Sequence, residues 1–184
     1  MRYFVLFILF FLLGNSILAQ DKYFTKTGHI YFISHTDAID IDGNNRQVVS
    51  FLDIKTGELI FAVLIKSFEF SLATALEHFN ETYLESHKFP KAHFKGKIVE
   101  LNFLDMNKPG KYEVSVSGML TLHGVTKEIN EKATIVIEKN QIRASANLKV
   151  NIDEYGIVVP KIVEERVAKM VDVKIDADYR LYSK

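Results

Sequence analysis

Apolar and polar residues alternate with a period of two through much of this chain. Tyr112, Val114, Val116, Gly118, Leu120 and Leu122 alternate with Lys111, Glu113, Ser115, Ser117, Met119 and Thr121. Beyond His123-Gly124, Ile129, Ala133, Ile135 and Ile137 alternate with Glu128, Asn130, Lys132, Thr134 and Glu138. A two-residue period over such lengths marks strands with one buried face. Two of them across a short Gly-containing link predict a long antiparallel hairpin. The last stretch has the same pattern: Val171, Val173, Ile175, Ala177, Tyr179 and Leu181 face one way, Asp172, Lys174, Asp176, Asp178 and Arg180 the other.

Further strands are predicted over Gly28 to Ser34, Ala92 to Phe103, with an irregularity near Gly96, and Gln141 to Ile152. Small residues at Ala144 and Ala146 leave room inside or allow close packing. Val48 to Ile54 and Glu58 to Lys66 flank Lys55-Thr56-Gly57 as a second hairpin. Nearly every residue from Leu59 to Ile65 is apolar, as in a strand covered on both faces; one face would touch a cavity and the other a helix. Asp42-Gly43-Asn44-Asn45 and Asn107-Lys108-Pro109-Gly110 read as turns, and Lys139-Asn140 turns the chain before Gln141.

Between these strands, Leu72, Ala75, Leu76, Phe79 and Tyr83 follow helical spacing, with Ser71 as the predicted N-cap. That helix must end before Pro90. Pro160 opens a second short helix, with Glu165 and Lys169 as an i,i+4 pair. The count is about eight strands and two short helices, an all-β chain. Eight antiparallel strands can close and remove their edges, and such a barrel holds one small ligand. A β-sandwich is the other architecture that these strands allow.

The first residues stand apart from the alternation. Arg2 is followed by an apolar run from Tyr3 to Leu13, then Gly14-Asn15-Ser16 and a small residue at Ala19. This is the layout of a cleaved export signal, too short for a membrane span of about 20 residues. The expectation is a signal peptide over 1–19 and one domain over 20–184, exported to the periplasm. There is no cysteine, which excludes disulfides, thiolate metal sites and a Cys nucleophile. The formal net charge of +0 lacks the basic excess expected of a nucleic-acid partner.

Little catalytic chemistry is visible. His29, His35, His78, His87, His93 and His123 form no His-Glu-x-x-His unit, and there is no Gly-x-Ser-x-Gly elbow or phosphate loop. His123 reads as a turn residue anchoring backbone. Asp172, Asp176 and Asp178 belong to the wet face of their strand. No catalytic residue, metal ligand or cofactor is expected.

Three segments carry a resemblance: Gly118 to Lys127 (GMLTLHGVTK), Tyr83 to Phe94 (YLESHKFPKAHF) and Val171 to Ile175 (VDVKI). In these, and in the order of export signal, hairpin, helix, Phe-Pro strand, central hairpin and final strand, the chain resembles the YceI-like family of exported lipid-binding proteins. The resemblance implies a lipocalin-like antiparallel barrel enclosing a long apolar molecule, a polyisoprenoid or an isoprenoid quinone. The candidate lining is Phe51, Phe61, Val63, Phe68, Phe70, Leu76, Phe79, Phe94, Leu120 and Leu122. The expected function is non-enzymatic carriage or sequestration of that lipid, with transient membrane contact, by a monomer or homodimer. The alternatives are a filled structural or stress-response barrel and an enzyme that modifies an isoprenoid.

Overall fold

A computed structural model describes residues 22–99, 101, 104, 108–139 and 141–182. The expected export signal lies outside the described residues, as do Phe103, Asn107 and Asn140 of the expected strand and turns. The strands are β1 (Lys22–His35), β2 (Asp40–Asp53), β3 (Glu58–Leu64), β4 (Glu69–Phe70), β5 (Lys91–Ile98), β6 (Gly110–Leu122), β7 (Val125–Glu138), β8 (Gln141–Asn151) and β9 (Met170–Leu181). One α-helix, α1 (Ala73–His78), follows β4 and runs into a π-type turn over Phe79–Tyr83. Short 3-10 turns follow β3 and β8.

The sheet order is β1-β9-β8-β7-β6-β5-β3-β2-β4, and β1 also pairs with β2. That last pairing closes an eight-stranded antiparallel barrel. The two residues of β4 pair with β2 at Gly43 and Asn44, beyond the point where β3 has turned away. Closure removes the exposed strand edges that an open sheet of this size would carry.

The central hairpin forms as the alternation predicts, in register from Gly110↔Ile137 to Leu122↔Val125. His123 and Gly124 both take positive φ, 50° and 75°, the backbone of a two-residue type I′ turn. The Lys55-Thr56-Gly57 turn also forms, with the Asp53 carboxylate accepting from the backbone N–H of Lys55 and Thr56.

Several expectations change. Asp42-Gly43-Asn44-Asn45 is no turn: it lies inside β2, paired with β1 from Ile30↔Asn45 to Ile33↔Asp42. Gly43 is there because the Phe32 ring lies against it; a Cβ would come within 2.4 Å of Phe32 Cε1. Asn45 is fully buried and its amide donates to the carbonyl of Leu64 at 3.0 Å, where β2 bulges at Arg46 and Gln47. Gly96 interrupts nothing, since the ladders of β5 run through it. It faces Gly118, and the absence of both side chains lets the Phe94 ring fold across them.

On the outer face of β3, Leu64 is 45% exposed, so no helix of the described residues covers it. Ser71 does not cap α1; Leu72 holds that position without a side-chain bond. Lys169 pairs with Glu164 and Asp153 instead of Glu165.

The interior has two halves. Towards one end Tyr23, Leu52, Ile137, Ile142 and Tyr179 fill the barrel solidly. Towards the other, Ile30, Val63, Ile65, Phe68 and Val171 form a ring around open space.

Candidate functional site

The open half contains a cavity of about 310 Å³. Its floor is Leu59, Phe94 and Val116, which also belong to the packed half. Its wall is built by the inward positions of the strands: Ile30 and Phe32 of β1, Phe61 and Val63 of β3, Leu120 and Leu122 of β6, Ile129 of β7, Leu148 and Val150 of β8, and Val173 and Ile175 of β9.

A cluster of rings closes the mouth. Phe79 stacks on Phe32 at 5.6 Å and tilts against Phe70 at 4.9 Å and Phe68 at 5.3 Å. Phe79 opens the π-type turn, so the wider turn sets one aromatic residue of the helical segment into the barrel end. Ala75, His78 and Tyr83 from the same segment also line the cavity. Burial pushes the Tyr83 phenol up from its ordinary value, so it stays neutral there.

Beside the mouth, three segments meet at His123. Its Nε2 lies 3.1 Å from the Glu85 carboxylate and its Nδ1 3.2 Å from the carbonyl oxygen of Tyr155. The Phe89 ring meets its imidazole edge-on at 4.6 Å. Glu85 also pairs with Lys88; that bond first, and His123 second, hold its carboxyl below the usual carboxylate range. His123 thus anchors backbone, tying the β6–β7 turn to the segments that follow the helix and β8.

The sequence matches the YceI-like domain over residues 24–179. The chain belongs to the YceI-like family. No protein with a curated description matches it. Among solved structures it is similar to a polyisoprenoid binding domain from Saccharophagus degradans implicated in plant cell wall breakdown. That likeness has a TM-score of 0.75 at 14% identity and covers 89% of this chain and 99% of the other. It is also similar to BcnA of Burkholderia cenocepacia, with TM-score 0.64, 12% identity and coverage of 83% and 95%. The YCEI protein of Campylobacter jejuni gives TM-score 0.61, 19% identity and coverage of 82% and 91%. At these identities the likeness establishes a shared fold.

In this YceI-like barrel, Phe61, Val63, Phe68, Phe70, Phe79, Phe94, Leu120 and Leu122 of the candidate lining all reach the cavity wall. Phe51 does not. It is 40% exposed and packs outside against Phe24 at 4.7 Å and Tyr182 at 6.1 Å. Its neighbours Ser50 and Leu52 point inward instead, at 0% and 1% exposure. Leu76 lies one position around the helix from Ala75 and is not part of the wall. The candidate lining omitted Phe32, Ile129, Leu148, Val173 and Ile175, all of them in inward phase on strands whose alternation was plain.

Proposed function

We propose that this protein binds an isoprenoid-type lipid, a polyisoprenoid or isoprenoid quinone, inside the barrel, and carries or sequesters it without covalent chemistry. The observation that carries the reading is the apolar space left open between a solidly packed floor and an aromatic lid. Filling that space with side chains would stabilise the fold, so a barrel with only a structural role has no use for it. The cavity lies at the lower end of the range of about 300–1,000 Å³ typical of ligand sites. Each buried methylene contributes about 0.8 kcal/mol, so a dozen would supply roughly 10 kcal/mol before the costs of ordering are subtracted.

Family membership and a structural relative described as a polyisoprenoid binding domain support the choice of ligand class. The signal-like first residues support action in the periplasm, with transient contact at a membrane surface where such lipids reside. An enzyme acting on the lipid would need a convergent polar cluster in the cavity, and the wall here is almost wholly aliphatic and aromatic.

Fluorescence titration with an environment-sensitive isoprenoid tests this. Saturable binding is expected, abolished by Leu120→Asp or Phe61→Asp in variants that keep their far-UV spectrum. Absence of saturable binding by the unaltered protein would refute it.

A further inference from the structure

The ladder between β7 and β8 stops halfway up the barrel. Among the described residues it runs from Glu138↔Gln141 to Ala133↔Ala146 and no further. Both strands nevertheless continue, and both stay paired on their other sides, to Leu122↔Val125 and to Asn151↔Met170. The wall is therefore split between residues 127–132 and 147–151. Ala133, Ala144 and Ala146 border its closed end, where larger side chains would fill the gap. At the other end Lys127 Nζ meets Glu154 Oε2 at 3.2 Å, and His123 holds the carbonyl of Tyr155. Both lips of the seam line the cavity: Ile129 and Glu131 on one side, Leu148 and Val150 on the other.

Glu131 is the residue out of place. It shares the inward phase of Ile129, Ala133 and Ile135, stands opposite Val116, and is half-buried. Among the described residues its carboxylate has no hydrogen-bond or ion-pair partner. The nearby lysines are already engaged: Lys127 with Glu154, Lys149 with Asp172, and Lys132 on the outer face beside Glu113. The seam thus offers an acceptor to whatever lies in it, while the cations that border it are occupied.

We propose that the seam between β7 and β8 is a head-group port, in which Glu131 accepts a hydrogen bond from a hydroxyl-bearing head while the tail lies in the cavity. The inference rests on the reading that the cavity holds an isoprenoid-type chain. A phosphate or carboxylate head on the same tail meets like charge at Glu131 and is disfavoured. A hydroxyl there can donate to the Glu131 carboxylate, a hydrogen bond that the plain hydrocarbon cannot make.

The test is competition by farnesol, farnesyl phosphate and the plain hydrocarbon of the same tail against an apolar fluorescent probe held by the full chain. Farnesol is expected to compete about tenfold better than its phosphate. Glu131→Gln keeps an acceptor and loses the charge, so it should bring alcohol and phosphate together. Glu131→Leu should remove the advantage of the alcohol over the hydrocarbon. Thermal melts confirm that both variants fold. If the unaltered protein shows no preference, or Glu131→Gln retains it, while the chains still displace the probe, the port is wrong and the cavity reading stands. If none of the three displaces the probe, the cavity reading fails and the port with it.

Discussion

His123 and Glu85 face each other at 3.1 Å, and both hold a positive φ, 50° and 40°. Two left-handed non-glycine residues in contact are uncommon, and each costs about 1–3 kcal/mol of backbone strain. The carbonyl of Tyr155 and the carboxylate of Glu85 can only accept, so both ring nitrogens of His123 face acceptors.

This contact predicts a pH dependence. Lys88 first and His123 second hold the Glu85 carboxyl below its ordinary value of 4.5. A depressed carboxyl stabilises the fold fully above the unfolded value and loses that contribution as pH falls through the folded one. Glu85→Gln should therefore be less stable than the unaltered protein at neutral pH, with the gap closing as pH drops below that ordinary value. Thermal melts across an acid pH series measure it; a gap that is constant with pH would contradict the assignment.

Tyr179 and Ser50 predict an asymmetry. Ser50 Oγ donates to the carbonyl of Ile60 at 2.8 Å, so the Tyr179 hydroxyl must be the donor in its own 2.6 Å bond to Ser50. Burial drives the phenol well above its ordinary value, and it stays protonated. Ser50→Ala strands a fully buried hydroxyl and should cost about 2–3 kcal/mol, whereas Tyr179→Phe leaves Ser50 bonded to Ile60 and should cost about 1 kcal/mol. Urea denaturation of both single variants and the double variant gives the ranking. Equal costs would mean that the pair is not organised this way.

Gly96→Ala should destabilise the barrel by about 1–3 kcal/mol through overpacking. A Cβ there would come within 2.4 Å of both the Phe94 ring and the carbonyl oxygen of Ser117. The ring could swing aside; the backbone oxygen could not. Chemical denaturation should show the loss, and Phe94→Leu in the same chain should relieve only part of it.

Phe79→Ala should open the mouth while leaving the barrel closed, because Phe79 touches Phe32, Phe68 and Phe70 but carries none of the strand ladders. Release of a bound apolar probe should speed up about tenfold, equivalent to about 1.4 kcal/mol of lost ring contact. Stopped-flow transfer of the probe to vesicles reads the rate. An unchanged rate would show that the aromatic lid does not limit release.

The central hairpin and the last strand were legible because Tyr112 to Leu122 and Val171 to Leu181 alternate without interruption. The failures have local causes. Phe51 is placed in the candidate lining by its size and apolar character. Instead Val48, Ser50 and Leu52 are the buried residues, and Ser50 meets the buried Tyr179 hydroxyl, a partner 129 residues away in sequence. Asp42-Gly43-Asn44-Asn45 carries turn residues, but Gly43 yields space to Phe32 and Asn45 bonds Leu64, and both partners lie outside the segment. Glu131 stands outside the alternation as read over β7, which passes from Ile129 to Ala133. Its phase was readable from Ile129 and Ala133, whereas the gap beside it depends on where the β7–β8 ladder ends.

The most direct test of the cavity account is native mass spectrometry of the protein purified from a bacterial host without detergent. A mass above that of the polypeptide is expected, lost on extraction with organic solvent, with an isoprenoid-type lipid in the extract. A single species at the polypeptide mass, unchanged after incubation with isoprenoid-bearing vesicles, would contradict it.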